Sequence, residues 1–331
     1  MGPTANNIVP DRAGLAHSVL AAALAGALTG CATHPSDPAG VAPLHAYRQR
    51  TVELHVHDSL IKIISAPRDN PGAEADLQLW VSNAAQSVQT YYGRFPVQRV
   101  NVVIETTEGQ GPQSGTTFGF GTPNIRMTVG RTTVAEDFPR DWMMTHEMVH
   151  LAFPRVAQEH HWIEEGLATY VEPIARAQAG QLPSEKVWLD LIEGLPHGLP
   201  RTGDRGLDFT PTWGRTYWGG ALYCLLADIK IRERTYNQLG LQDALRGVLA
   251  GGGNIQTIWP ITQALQTGDE AVGQTVLIEL YEQMRAAPVD VDLDGLWRSL
   301  GVKLVGREVV FDDDAPLAPI RRAITAAPNM P

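Results

Sequence analysis

The sequence predicts an α+β protein, with an N-terminal lobe built on a mixed sheet and a mostly helical C-terminal lobe. Short β-branched runs with alternating apolar residues concentrate before residue 130, whereas longer segments with apolar residues three and four apart dominate from residue 141. Composition supports a packed chain: of 331 residues, 44% are hydrophobic and 19% charged, enough for a sizeable core and too little charge for a wholly disordered chain. With no internal repeat and no long linker after residue 46, a single two-lobed unit over residues 47–331 is expected.

Thr51 to His57 alternates Val52, Leu54 and Val56 with polar residues and predicts a half-buried strand. Ala73 to Tyr91 follows as a helix, carrying Leu77, Leu79, Trp80, Ala84, Val88 and Tyr91 at mixed three- and four-residue spacing. Val97 to Glu105 and Ile125 to Val129 are further strands. Between them, Gly111 to Gly121 is rich in Gly and Thr. It lacks the Gly-Lys-Ser/Thr ending of a phosphate loop, and its glycines suit a turn or a close backbone approach beside a cleft. Asp141 to Phe153 and His161 to Ile174 read as two helices joined by a linker containing Pro154. Leu182 to Glu193 forms another helix, Gly194 to Trp213 a Gly- and Pro-rich loop, and Tyr217 to Arg234 and Leu241 to Leu249 two more helices before Gly251 to Gly253. Pro260 to Arg285 is expected as helix in two pieces, and Val302 to Phe311 as a hairpin or tail strand.

The balance of 26 basic against 36 acidic residues, a net charge of −10, argues against a broad nucleic-acid footprint and against adhesion to anionic lipid. Two cysteines, Cys31 and Cys224, exclude a disulfide framework, a four-cysteine zinc knuckle and a cysteine-ligated iron–sulfur cluster. Cys224 sits in an apolar helical run and is expected to be packed. Asp290 to Gly295 opens like a calcium loop, but Gly301 stands where a bidentate glutamate belongs, which leaves a solvated turn. Arg126 and Arg215 are better read as ion-pair partners than as substrate contacts.

His146-Glu147-Met148-Val149-His150 is the most informative segment. On a helix, positions i and i+4 share a face, so His146 and His150 can reach one metal, with Glu147 beside its open position. Met144, Met148 and Leu151 supply an apolar setting for that polar stripe. Fourteen residues separate His150 from Glu165, which stands with Glu164 as a candidate third ligand within Trp162-Ile163-Glu164-Glu165-Gly166-Leu167-Ala168. An extended His-Glu-x-x-His-x-x-Gly-x-x-His site is ruled out by Phe153 and Val156. His160 and His161, at the start of the second helix, suit a rim or capping role better than ligation.

These two elements together resemble the gluzincin zinc metallopeptidases of the peptidase MA-like superfamily, in which a later Trp-x-x-Glu-Gly-x-Ala helix supplies the third ligand. The resemblance implies a thermolysin-like fold, Zn2+ held by His146, His150 and Glu165, Glu147 as general base, and a peptide or protein substrate. Arg215 to Ala221 is similar to the Tyr-x-x-Gly-Ala element of aminopeptidase-like members, which implies that Tyr217 stabilises the oxyanion. Pro316 to Ile324 is similar to the close of glycyl-aminopeptidase-like members. The Gly-x-Met-Glu-Asn element that captures a free substrate amine is absent; Gly115 to Gly121 stands in its place, leaving aminopeptidase and endopeptidase action both open. The edge near Ile125 to Val129 is expected to align an extended peptide. The alternative is a catalytically inactive, peptide-binding protein of the cell envelope.

Val19 to Gly30 is an alanine- and leucine-rich run of twelve residues, short of the roughly twenty needed to span a bilayer and suited to an export signal. Its end, Leu28-Thr29-Gly30-Cys31, resembles a bacterial lipoprotein signal. That implies residues 1–30 as a cleaved leader, lipidation at Cys31, and residues 31–46 as a Pro- and Gly-containing tether. The expected location is the cell envelope, at the outer membrane facing the periplasm, with the lipid as the only membrane contact.

Overall fold

The computed structural model describes residues 49–66 and 72–328. Cys31, the expected leader and the expected tether lie outside the described residues. The α+β reading holds: a five-stranded mixed sheet occupies the N-terminal part, and helices dominate the rest.

Strands β1 (Arg50–Val56) and β2 (Ser59–Ser65) form an antiparallel hairpin with Leu54 opposite Ile61. The chain then crosses through helix α1 (Ala73–Tyr92) to β3 (Arg99–Thr107), parallel to β2. Strand β5 (Asn124–Gly130) is parallel to β3, and β4 (Pro112–Phe118) pairs antiparallel with β5, giving the order β1-β2-β3-β5-β4. Val100, Val102 and Ile104 of β3 and Ile125, Met127 and Val129 of β5 are buried at alternate positions and join α1 in one core. Two expectations change here. The Gly- and Thr-rich segment contains a strand, and β4, not Ile125 to Val129, is the sheet edge. β5 lies between β3 and β4, so its backbone is paired on both sides.

Helix α2 (Met143–Val149) is buried at every position and continues through a 3-10 turn, His150–Ala152. Asp141 starts it: its carboxylate accepts from Met143 N at 3.2 Å, Met144 N at 3.0 Å and Trp80 Nε1 at 2.9 Å. Helix α3 (His161–Gln178) is buried nearly all round and packs against α1, α2 and α5 (Gly220–Arg234), which makes it the centre of the helical lobe. Gly166 and Gly220 set how closely α3 and α5 cross. A Cβ on Gly166 would lie 2.4 Å from the Gly220 backbone, and one on Gly220 would lie 2.2 Å from Trp162 O.

Helices α4 (Ser184–Gly194), α6 (Leu241–Ala250), α7 (Ile261–Val272) and α8 (Val276–Met284) follow the predicted positions. Asp228 ties three helices together, accepting from Tyr170 Oη at 3.0 Å, Arg232 Nε at 2.8 Å and Leu241 N at 3.0 Å. The calcium-like string ends as a helix cap: Asp292 accepts from Gly295 N at 2.8 Å and opens α9 (Leu293–Leu300). The hairpin β6 (Val302–Val305) and β7 (Glu308–Phe311) leads to α10 (Ala318–Thr325). Cys224 is buried on α5 as expected, and burial pushes its thiol up.

Candidate metal centre and active-site cleft

Helix α2 carries His146, the 3-10 turn that continues it carries His150 one turn on, and α3 brings Glu165 across to them. Glu165 Oε2 lies 3.2 Å from His146 Nε2 and 3.6 Å from His150 Nε2. One donor atom from each residue falls within 4.8 Å of the others, so this triad could hold a metal ion. The separations fit that use, since four donors about 2.0–2.1 Å from a tetrahedral ion stand about 3.3–3.4 Å apart. Two imidazoles and one carboxylate also form a borderline-soft donor set of the kind zinc accepts. Glu164 is turned elsewhere, its Oε2 lying 3.0 Å from His161 Nδ1. Of the two candidate acids, Glu165 is the one brought to the histidines.

Charge is concentrated in this small space. Burial pushes the Glu165 carboxyl up, but His150, His146 and His161 together hold it well below the usual carboxylate range. Burial pushes His150 down, and the Glu165, Glu147 and Glu164 carboxylates outweigh it, raising the imidazole to about 9. His161, bonded to Glu164 and Glu165, is raised to about 10.

Glu147 faces the sheet edge. Thr117 Oγ1 lies 2.6 Å from Glu147 Oε2 and 2.9 Å from the Glu147 carbonyl oxygen. Gly115 shares that face of β4, two residues away, and a Cβ there would fall 2.7 Å from Glu147 Cγ. The predicted close backbone approach beside a cleft is therefore present, and glycine is what allows it.

Tyr217 lies in a π-helical turn, Gly214–Gly219, that leads into α5. Its ring stacks with His146 at 6.3 Å and with Trp213 at 6.4 Å between centroids. Burial, then the Glu165 and Glu147 carboxylates, push its hydroxyl above its ordinary value, so it remains a proton donor at neutral pH. The neighbouring Arg215 is buried, with Nε 2.8 Å from Asp204 Oδ2, and it also donates to the Gly198 carbonyl. It anchors the π-turn to the preceding loop. Arg126 pairs with Glu105 at 3.4 Å on the surface. Both arginines act as ion-pair partners, as the sequence suggested.

The triad, Glu147 and Tyr217 line one cleft of about 480 Å³, walled by Trp142, Met143, Phe153, Trp213, Trp218 and Ile255. One residue at the site, Thr117, escaped the sequence reading, and another, His161, was read there as a rim or capping residue. Thr117 lies in a strand with no apolar alternation to reveal it. His161 was visible, four residues before Glu165 and so on the same helical face. His160, beside it, points away and pairs with Asp208 at 2.9 Å.

No family model matches this chain, and no curated protein matches it. Among solved structures it is similar to an aminopeptidase N family protein from Idiomarina loihiensis, with a TM-score of 0.53 and 11% identity, over 77% of this chain and 49% of that one. It is also similar to an M1 zinc metallopeptidase from Deinococcus radiodurans, at 17% identity and a TM-score of 0.47, over 74% of this chain and 53% of that one. The chain thus spans about half the length of these proteins. The first of these likenesses shows that the chain shares its fold with that aminopeptidase N family protein.

Proposed function

We propose that the protein is a zinc metallopeptidase that hydrolyses peptide bonds in the cleft between β4 and α3. The observation that carries this reading is the convergence of His146 Nε2, His150 Nε2 and Glu165 Oε2, with Glu147 alongside in the same cleft. Bound by those three residues, zinc would supply Lewis acidity, polarising the scissile carbonyl and acidifying water.

The remaining steps belong to the side chains. Glu147, held by Thr117, takes a proton from the attacking water and passes it to the departing amine. The Tyr217 hydroxyl donates to the carbonyl oxygen as negative charge develops there. The edge of β4 lies along the cleft and can pair with an extended peptide, which would set the scissile bond beside Glu147. The apolar walls exclude water and strengthen these electrostatic contacts.

A mixed peptide library that includes N-terminally blocked members tests this reading. Wild type should cleave it, and E147Q should lose cleavage while still binding one zinc. Cleavage of blocked peptides would assign endopeptidase action. Equal cleavage by wild type and E147Q, or none by wild type loaded with zinc, would contradict the proposal.

A further inference from the structure

Glu164 and His161 take no part in the steps above, yet they lie directly behind Glu165. His161 and Glu165 stand one turn apart on α3, where side chains four residues apart meet. Glu165 uses its two oxygens differently. Oε2 faces His146 Nε2 at 3.2 Å and His150 Nε2 at 3.6 Å, while Oε1 lies 3.3 Å from His161 Nε2. The second ring nitrogen of His161, Nδ1, lies 3.0 Å from Glu164 Oε2. A carboxylate only accepts hydrogen bonds, so His161 donates its Nδ1–H to Glu164, while its Nε2 meets Glu165 Oε1 as an ion-pair contact.

Four groups therefore lie in series: Glu164, His161, Glu165 and the centre of the triad. Left to itself, a glutamate side chain rotates about three bonds and can present either oxygen, or both, to a cation. His161 removes that freedom by occupying Oε1. It is also poorly suited to a packing role, since its side chain is 43% exposed and it lies outside the hydrophobic core.

We infer that His161 is a positioning residue for the metal site: it holds Oε1 of Glu165 so that Oε2 alone is presented to the ion, and Glu164 fixes the His161 ring for that task. The inference rests on the zinc reading above. It gives the doubled acid of the Glu164-Glu165 pair a division of labour, one carboxylate toward the metal and the other behind the histidine that orients it. Partners of this kind behind a metal ligand change affinity by about 10- to 100-fold when removed.

The test is zinc affinity by competition with a fluorescent chelator, together with the rate at which excess chelator strips the metal, on the full chain. H161A should bind zinc about 10- to 100-fold more weakly and lose it faster. H161Q keeps one N–H for Oε1 and should recover part of that loss. E164Q should weaken binding less than H161A, and should add nothing in the H161A background. Zinc-free H161A should keep the wild-type fold, read as an unchanged circular dichroism spectrum. Wild-type zinc affinity in H161A would overturn the inference, as would an affinity loss in an H161A protein whose zinc-free spectrum shows that the fold is lost. Additive losses from H161A and E164Q would remove Glu164 from the relay. His146→Ala separates the two levels: if it leaves zinc binding intact, or if wild type binds none, the metallopeptidase reading itself fails.

Discussion

At the scale of single residues, the site depends on carboxylates held in different ways. Glu165 is surrounded by histidines and stays ionised despite burial, which suits a metal-binding oxygen. Glu147 is instead gripped by a hydroxyl on the neighbouring strand, with Gly115 leaving room for its side chain. Thr117→Val keeps the shape of that contact and removes its donor. A hydrogen bond to a charged group is worth roughly 1.5–3 kcal/mol, so kcat should fall about 10- to 100-fold with zinc content unchanged. Steady-state kinetics alongside metal analysis checks this, and an unaltered kcat would show that Glu147 does not need Thr117. The placing of His146, Glu147 and His150 side by side was legible in the sequence because helical spacing brings them together. That of Thr117 was not, because its contact crosses from a strand to a helix thirty residues away.

At the scale of elements, three local devices bring the site together. Asp141 starts α2, the Gly166–Gly220 crossing brings α5 against α3, and the π-turn before α5 carries Tyr217 to the cleft. Asp141 also makes a pH-dependent contribution. Burial pushes its carboxyl up to about 6, against the pull of its three donors, compared with about 3.9 in an unfolded chain. The folded protein therefore retains a proton that the unfolded chain releases between about pH 4 and 6, and its stability relative to Asp141→Asn should fall as pH rises through that window. Melting temperatures of the two proteins from pH 4 to 7 test this; a constant difference would show that Asp141 does not titrate as described. Elements that the sequence missed have equally local causes. The β1–β2 hairpin turns at His57, which takes a positive φ of 49° without the Gly or Asn that usually marks such a turn. Strand β4 is polar and only half buried, and α9 and α10 are eight residues each, too short for a clear periodic pattern.

At the scale of the whole molecule, a sheet edge and a helical lobe meet along one cleft, and every proposed catalytic group faces it. The division into a sheet lobe and a helical lobe was legible because the hydrophobic period changes from two to near 3.6 along the chain. The order of strands was not, since β5, the last of the five in sequence, inserts between β3 and β4. The choice between Glu164 and Glu165 also needed the assembled fold, because the two acids are adjacent and only the packing of α3 against α2 decides which faces the histidines. All of the proposed chemistry depends on zinc at that triad. The most direct measurement is anomalous diffraction at the zinc absorption edge from crystals of the zinc-loaded protein. The account predicts one peak about 2.0–2.2 Å from His146 Nε2, His150 Nε2 and Glu165 Oε2; no peak there, or a peak bound by Glu164 in place of Glu165, would contradict it.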